Sequence, residues 1–298
     1  MTGRATDREI WFAIFSTRGV GSATTKKIAR KLDDAGISPR ELHGLTSDQL
    51  VSSLSVSHSI AQAISENVYG NMTIPSSVED GLLVLGDEFY PNTRFMNAQP
   101  PLPIVLWAQG DLHILDSGFR ALAVAGSRDA SEEVVEITRE VGRLAVKRKW
   151  LVVSGLAAGV DSAAHQAAVD CGGSTIGVMA SGIRVPDHVW KHQEHDSVCV
   201  VSQFSPREVW SGPRAMQRNS TIAGLSDRVF IAAAGDSGGS WEMGKLCLKE
   251  HKQLFVLERP QEESPGNSLL IREGAIPITA DSLENIFEDV PEARETLF

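Results

Sequence analysis

The sequence has 298 residues, of which 42% are hydrophobic and 22% are charged, as is usual for a globular protein and unlike a disordered or collagen-like chain. Its 28 Lys and Arg residues against 38 Asp and Glu residues give a formal net charge of −10. This balance excludes a uniformly basic nucleic-acid binder but leaves room for a locally basic groove. The length predicts about two domains.

Cysteine content and hydropathy predict a cytoplasmic protein. Cys171, Cys199 and Cys247 are an odd number and lack the paired spacing of metal sites, so we expect neither a disulfide framework nor a bound metal. The N-terminal residues lack the apolar core of a signal peptide, and no stretch approaches about 18 uninterrupted apolar residues. We therefore expect no membrane association.

The first 70 residues have the hydrophobic periodicity of helices. Apolar residues recur at spacings of three and four from Trp11 to Ile64, which predicts a small all-helical domain of the helix-hairpin-helix or SAM-like type at residues 1–70. Gly19-Val20-Gly21 is typical of a helix-hairpin-helix turn, whose backbone N–H groups point at a phosphodiester. A tight turn between two packed helices is the alternative. The turn formers at Asn71–Ser77 are the expected linker.

Two short strand-like runs come next, and from Ala121 onward apolar runs alternate with helical patterns. Continuous apolar strands between helices predict a parallel sheet covered on both faces. We therefore predict an α/β fold, with an extended Rossmann-like, doubly wound and mostly parallel sheet at residues 71–280 and a short acidic tail at residues 281–298. The predicted strands are Leu82–Gly86, Ile104–Gly110, Ala121–Gly126, Leu151–Gly155, Ser174–Ala180, Ser197–Gln203, Arg228–Gly235 and Gln253–Glu258.

Small residues and hydrogen-bond donors occur in four segments that flank these strands. A glycine after a buried strand lets the backbone turn tightly, and free N–H groups at the start of the next helix hold phosphates. Because ligands bind at the carboxyl ends of the strands in open α/β sheets, we expect these segments to form one phosphate-binding rim. Its candidate residues are Gly126, Ser127, Arg128, Ser154, Gly155, Gly159, Arg218, Asn219, Ser237, Gly238 and Gly239.

Other residues near the rim have a structural interpretation. Asp161 is placed to cap the helix after the second sheet strand, and His165, one turn later, is interpreted as a buried structural histidine rather than as part of a triad or metal site. We interpret the tryptophans as residues that pack in the core or at an interface rather than as base-stacking surfaces: Trp190, Trp210 and Trp241. The basic stripe formed by Arg139, Arg143 and Lys147 is interpreted as a solvated helix face rather than as a DNA-tracking surface.

Taken in order, the four segments resemble the signature of the DprA/Smf family of DNA-processing proteins. The pattern G-[ST]-R-x-x-S is similar to Gly126–Ser131, and S-G-x-A-x-G-[IV]-D-x-x-A-H is similar to Ser154–His165. R-N-x-x-I-A-x-L-S is similar to Arg218–Ser226, and S-G-[GS] to Ser237–Gly239. The ordered combination covers most of the chain and is far more specific than any one motif.

The resemblance implies a protein that binds and protects single-stranded DNA, without catalysis and without a cofactor. It also implies dimerisation through the Rossmann-like domain and delivery of the strand to a RecA-type recombinase. By position it assigns phosphate contacts to Arg128, Arg218 and Asn219, and the shaping of the pocket to Ser127, Gly155 and Gly159.

The sequence departs from the family pattern at the predicted rim, and it resembles a divergent member. Two usual arginines are missing, which predicts a weaker polyanion footprint. The chain ends soon after the sheet, so we expect it to lack the C-terminal winged helix of many relatives. The departures are Val134 for a glycine, Ala158 and Ser220 for arginines, Gln203 for a glutamate, and Ala232–Ala234 where a glutamate is common.

The main alternative is enzymatic, with nucleotide binding or a role in defence. Ser240-Trp241-Glu242 faintly resembles the P-G-G-x-G-T-x-x-E loop of LOG-type nucleoside monophosphate hydrolases, in which a glutamate assists N-glycosidic cleavage. Glu242 would then be the catalytic residue, supported by Arg128 and Asp161. The proline and the Gly-Thr pair of that loop are absent here. A non-catalytic nucleotide sensor is a third alternative, for which the sequence has no positive sign.

Overall fold

The computed structural model describes residues 5–70, 74–185 and 196–289. Its N-terminal part is helical, with α1 at Asp7–Phe15, α2 at Ser22–Ala35, α3 at Ser47–Leu54 and α4 at His58–Gly70, and with a 3-10 turn at Pro39–Leu42. A reciprocal cap begins α1: the Thr6 hydroxyl accepts the N–H of Glu9 at 3.2 Å, and the Glu9 carboxylate accepts the N–H of Thr6 at 2.8 Å.

The rest of the described chain forms a nine-stranded sheet with helices on both faces. Its strands are β1 (Leu82–Val84), β2 (Val105–Gly110), β3 (Ala121–Ala125), β4 (Leu151–Gly155), β5 (Thr175–Val178), β6 (Val198–Ser202), β7 (Arg228–Ile231), β8 (Leu254–Leu257) and β9 (Ile276–Ile278). Its helices are α5 (Ser76–Glu79), α6 (Asn92–Phe95), α7 (Glu132–Lys147), α8 (Val160–Asp170), α9 (Gly212–Gly224), α10 (Gly239–Lys249) and α11 (Pro265–Arg272), with 3-10 turns at Leu112–Ile114 and Ala280–Phe287. In the described ranges, no helix has the length and apolar character to cross a bilayer.

The sheet order is β1-β2-β6-β5-β4-β3-β7-β8-β9. The seven strands from β6 to β9 in this order pair in parallel, while β1 and β2 pair antiparallel at one edge. This confirms the predicted doubly wound, mostly parallel sheet, and all eight predicted strands are present. Sequence reasoning missed β9, because this short edge strand is only partly buried and contains Pro277, which weakens its strand signal.

Alternate residues of the central strands face two apolar layers. In β3, Ala121, Ala123 and Ala125 belong to the layer that holds the N-terminal helices. Leu122 and Val124 belong to the opposite layer, which holds α7 and α8. Both faces of the strand are therefore covered, which explains its continuous apolar sequence.

The N-terminal helices share a hydrophobic core with the sheet. Phe15 of α1 packs edge-on against Trp107 of β2, with ring centres 5.9 Å apart. The Arg8 guanidinium donates to the carbonyl of Leu82 at 2.9 Å. Helix α4 ends at Gly70, where the sequence predicts a boundary, but the apolar contacts continue across it. Division into separately folding domains therefore stays a prediction.

The first part of the predicted acidic tail is packed rather than solvated. Phe287 lies edge-on against Trp150, with ring centres 5.4 Å apart, and the Ile286 side chain is fully buried. Arg228 donates to the carbonyl of Ile286 at 2.5 Å. These contacts hold residues 281–287 on the α7 face of the sheet. They form because apolar side chains occur among the acidic residues of this segment and are buried against that face. Residues 290–298 lie outside the described ranges.

Candidate functional site

A cavity of about 590 Å³, here called the front cavity, lies at the carboxyl ends of β3 and β7. The chain leaves β3 toward β4 on one side and returns to β7 on the other, so the cavity is at the topological switch point of the sheet. The segments predicted to share a rim do share it. The predicted rim residues that line the cavity are Gly126, Ser127, Arg128, Arg218, Asn219, Ser237, Gly238 and Gly239.

Ser154 and Gly155 lie behind the wall of the front cavity rather than in it. The buried Ser154 hydroxyl donates to the carbonyl of Val124 at 2.6 Å and so ties β4 to β3. Gly155 makes room for a guanidinium, because a Cβ atom there would lie 2.3 Å from Nη1 of Arg218. Both residues shape the site and have no surface in it.

Gly159 joins the first two loops of the site. Its φ of +74° favours glycine, and a Cβ atom would lie 2.5 Å from the backbone oxygens of both Ser127 and Arg128. The N–H of Val160 donates to the Ser127 carbonyl at 3.3 Å. The backbone that presents Arg128 is thus supported by the start of α8.

Arg218 is an almost fully buried cation that reaches the cavity from α9, with 8% of the residue exposed. Its Nη1 donates to the carbonyl of Val178, the last residue of β5. Asp161 lies on its other side, since both groups would contact the same Cβ atom at Gly155. Arg218 is therefore fixed at the carboxyl edge of the sheet, as predicted for this position.

Asp161 does not cap α8, contrary to the expectation from sequence. Gly159 is the N-cap residue, and Asp161 is the second residue of the helix. Its Oδ2 accepts the N–H of Ala157 at 3.4 Å. Burial raises the pKa of Asp161, and the nearby Arg218 and Arg128 oppose that rise. The buried carboxylate lies beside Arg218, whose positive charge attracts it, instead of capping the helix.

His165 is a structural histidine, as predicted. It is fully buried, with Nδ1 2.6 Å from the Thr175 hydroxyl and Nε2 2.7 Å from the carbonyl of Gly155. Burial lowers its pKa to about 4, so the imidazole is neutral at pH 7. Its hydrogen bonds hold β4 and β5 at the edge where Arg218 binds.

The start of α10 presents backbone donors to the cavity. Gly238 is the N-cap with φ of +94°, and no side chain caps the helix. The Asn219 side chain donates to the carbonyl of Gly239 at 2.9 Å. Asn219 thereby positions the glycine segment, and the first N–H groups of α10 remain suited to an anion.

Arg128 and Trp210 form the exposed side of the front cavity. The Arg128 guanidinium carbon lies 5.8 Å from the centre of the Trp210 indole. Trp210 is 53% exposed and its neighbour Val209 is 65% exposed, so Trp210 does not pack in the core. Packing at an interface, the other use predicted for it, stays a prediction. Met216, 49% exposed, also lines the cavity and was not predicted. The sequence signal that could have predicted the exposure of Trp210 is Ser211, the N-cap residue of α9, because a residue before the cap lies in a loop.

The charges lining the front cavity are balanced. Arg128 and Arg218 supply two positive charges, and Asp129 and Asp161 supply two negative ones. Directed donors rather than a strong net field therefore characterise the site. Trp241, in contrast to Trp210, is half-buried against the core, and Trp190 lies outside the described ranges.

The model of the family described as DNA recombination-mediator protein A matches residues 81–291. The chain belongs to this family. Among its relatives, DNA processing protein DprA of Bacillus subtilis is 29% identical over 204 residues, which are 64% of this chain and 65% of that protein. Protein Smf of Escherichia coli is 32% identical over 233 residues, which are 73% of this chain and 60% of that protein. The chain thus spans less than two thirds of the length of either relative.

Solved structures of the DNA processing proteins share the fold. DprA from Streptococcus pneumoniae has a TM-score of 0.73 at 23% identity, with 97% of this chain and 100% of that chain covered. DNA processing protein A from Helicobacter pylori has a TM-score of 0.59 at 24% identity, with 70% of this chain and 95% of that chain covered. These similarities confirm the predicted Rossmann-like fold, and the match to the family model confirms the predicted family.

The departures from the family pattern have clear places in the structure. Gln203 is buried and accepts a hydrogen bond from the Thr221 hydroxyl, and Val134 is buried in the α7 layer. Ser220 donates to the carbonyl of Gln217 at 2.7 Å, and Ala158 is exposed on the loop before α8. At the two positions where the family pattern predicts arginines, Ala158 and Ser220 therefore offer no cation to a polyanion.

Glu242, the catalytic residue of the enzymatic alternative, does not line the front cavity. It is exposed on the first turn of α10 and forms an ion pair with Lys245 at 2.8 Å. Its side chain therefore does not face the space between Arg128 and Arg218, where a nucleotide would bind.

The basic stripe on α7 is neutralised by carboxylates. Arg139 pairs with Glu136 at 3.0 Å, and Arg143 pairs with Glu136 and Glu140, each at 2.9 Å. Lys147 lies 3.5 Å from Glu284. These ion pairs support the interpretation of the stripe as a solvated helix face.

Proposed function

We propose that the front cavity binds the sugar-phosphate backbone of single-stranded DNA without catalysis. The observation that carries the proposal is the convergence of Arg128 and Arg218, from two distant segments, on one cavity beside the glycine-bounded start of α10. Guanidinium groups match phosphate geometry, and uncapped N–H groups at a helix start attract anions.

The exposed side of the cavity favours an unpaired strand over a duplex. Trp210, Val209 and Met216 offer apolar surface beside the Arg128 guanidinium. In a single strand the base faces are free to stack on such surface, whereas in a duplex they are covered by neighbouring bases. Phosphates at Arg128 and bases at Trp210 would thus be bound by adjacent parts of one site.

The balanced charge of the lining sets the expected strength of binding. With two arginines opposed by two aspartates, few counterions are released when the strand binds. We therefore expect a shallow dependence of affinity on salt, in keeping with the loss of two family arginines. Directed hydrogen bonds and stacking would supply the remainder of the affinity.

The relatives support the wider role. The Helicobacter pylori protein is described by its single-stranded DNA binding mode, and the Bacillus subtilis relative is a DNA processing protein. By family membership, we infer that this protein protects single strands, delivers them to a RecA-type recombinase, forms a homodimer and acts in the cytoplasm. Nucleotide hydrolysis is not favoured, because Glu242 does not line the cavity and pairs with Lys245 instead.

Arg128 allows a direct test, because its side chain is exposed and its removal leaves no cavity in the core. Arg128→Ala should weaken binding of an oligo(dT) strand about tenfold and reduce the salt slope by roughly 0.7, the value for one phosphate contact on a single strand. Fluorescence anisotropy over a salt series measures both. Arg139→Ala, an exposed arginine on α7, is the control and should bind as the native chain does. Equal affinity and slope for Arg128→Ala would reject the proposal.

The remaining parts of the proposal have separate tests. Light scattering of the full chain should give twice the monomer mass. Strand exchange by a RecA-type recombinase should accelerate when this protein is added to the single strand. Nucleoside monophosphates incubated with the protein should release no free base, and base release that is abolished by Glu242→Gln would establish the hydrolase instead.

A further inference from the structure

A second cavity of about 330 Å³, here called the rear cavity, lies at the opposite edge of the sheet, where β7 and β8 begin. Its walls come from the segment after α6, the end of α9 and the turn between α10 and β8. It plays no part in the proposed DNA site. The polar residues that line it include Thr93, Asn97, Gln99, Ser226, His251 and Gln253.

Cations from three elements converge on the rear cavity. Arg94 and Lys252 line it, and the Lys252 ammonium donates to the carbonyl of Ser226. Lys26 of α2 is buried and donates to the carbonyl of Ala98, also in the cavity wall, at 2.6 Å. Within the described residues, both lysines thus donate hydrogen bonds to neutral carbonyls and not to carboxylates.

The carboxylates nearby leave a positive surplus. Asp227 pairs with Arg94 at 3.1 Å, and the same Oδ2 accepts the N–H of Ala121 at 2.7 Å. Burial lowers the pKa of Lys252 to about 8, with Asp227 acting against that shift and Arg94 and Lys26 adding to it. Burial also lowers the pKa of Lys26, which Glu250 opposes. Asp116 is a third carboxylate, because it accepts the Thr93 hydroxyl at 2.7 Å. Three cations, with Arg30 close to Lys26 as a fourth, therefore face three carboxylates.

We propose that the rear cavity binds a phosphate group, at a site separate from the front cavity. The positive surplus excludes a metal cation, and the amide and hydroxyl lining disfavours an apolar ligand. The side-chain amides of Asn97, Gln99 and Gln253, near a lysine pair, suit a compact oxyanion. A volume of about 330 Å³ is at the lower end of small-molecule sites, and so fits a phosphate or a mononucleotide.

Binding there would also connect two parts of the fold. Lys26 belongs to the N-terminal helices, whereas Lys252 and Arg94 belong to the sheet domain. A phosphate that neutralises these groups together would hold α2 against the sheet. The phosphate could be a free anion or a phosphodiester of the same DNA strand, which differ in size but share this chemistry.

The test uses the full chain and the exposed Asn97 at the cavity mouth. Isothermal titration calorimetry with inorganic phosphate should show binding that Asn97→Asp weakens about fivefold, the effect of one added negative charge about 4 Å away in water. Asn285→Asp, the same change on the far side of the sheet, is the matched control and should bind as the native chain does.

The same variants identify the source of the phosphate. If it belongs to the DNA strand, Asn97→Asp should weaken oligo(dT) binding as well, and if it is a free anion, only phosphate binding should fall. Either result supports the rear site. The rear site is overturned if Asn97→Asp changes the affinity for neither phosphate nor oligo(dT), or if Asn97→Asp and Asn285→Asp lose affinity equally. Neither outcome affects the front-cavity proposal, because that proposal is tested by Arg128→Ala.

Discussion

The Arg128 guanidinium lies over the Trp210 indole, 5.8 Å from its ring centre, although the two residues come from the β3–α7 and β6–α9 loops. This contact holds the arginine at the cavity mouth and leaves the indole 53% exposed. A phosphate on the guanidinium and a base on the indole would be neighbours in a single nucleotide. The pair is therefore the smallest unit that distinguishes a nucleic-acid strand from a free anion.

Replacing Trp210 should remove stacking and leave phosphate contacts in place. We expect Trp210→Ala to weaken oligo(dT) binding by about 1–3 kcal/mol, the usual contribution of a base–aromatic stack, while Trp210→Phe keeps most of the affinity. Fluorescence anisotropy measures the change. An abasic oligonucleotide is the internal control, because it should bind both variants and the native chain equally. Full affinity of Trp210→Ala for oligo(dT) would contradict a stacking role.

Gly155 tests whether the buried arginine is needed. A Cβ atom there would lie 2.3 Å from Arg218 Nη1 and 2.4 Å from Asp161 Oδ2, so Gly155→Ala must displace the guanidinium. We expect a loss of oligo(dT) affinity close to that of Arg218→Ala, measured by anisotropy. Gly212→Ala is the matched control in the same cavity, because a Cβ atom there meets open space. If Gly155→Ala bound oligo(dT) as tightly as the control Gly212→Ala, the position of the Arg218 guanidinium would not matter for binding.

His165 should make the fold sensitive to acid. Its pKa is lowered to about 4 in the folded protein against 6.5 in a free side chain, so the unfolded chain binds the proton first as the pH falls. Stability is therefore lost between pH 6.5 and about 4, by roughly 3 kcal/mol at most. NMR titration of the imidazole and urea unfolding at several pH values measure this. An imidazole that titrates near pH 6.5 in the folded protein would contradict its burial.

Lys252 should make the stability of the fold depend on pH in the alkaline range. Its pKa is lowered from 10.5 to about 8 on folding, so between these values the unfolded chain binds more protons than the folded one. The free energy of unfolding therefore gains from this residue as the pH rises from 8 to 10.5. Urea unfolding of the native chain and of Lys252→Met over this range gives the difference. A slope unchanged in Lys252→Met would show that the ammonium is not buried as described.

The strands and their order along the chain could be predicted from sequence, because a strand that is buried on both faces has a continuous apolar sequence. Val152, Phe230 and Val256 belong to unbroken apolar runs that only a covered strand tolerates. The edge strand β9 leaves no such record, since Pro277 is exposed. Packing of Ile286 and Phe287 was missed for a related reason, because single apolar residues among acidic ones predict a surface.

The site was predicted in part. Glycines such as Gly159 announce a tight turn by themselves, and Arg128 follows a strand, so both could be assigned to one edge. The orientation of a side chain depends on what surrounds it: Asp161 turns to Arg218 instead of capping α8, and Trp210 remains exposed although large aromatic residues usually pack. The residues that surround Asp161 and Trp210 come from distant parts of the chain, so no short sequence pattern identifies them.

The amino-acid sequence by itself determined the α/β class, the strand order along the chain and the family, because periodicity, turn residues and motif spacing are properties of contiguous residues. Only the tertiary structure decided that Arg128 and Trp210 share a cavity mouth, that Glu242 lies outside it, and that Lys26 and Lys252 gather behind the sheet. These relationships join residues far apart in the chain, and they exist only once packing has brought the elements together.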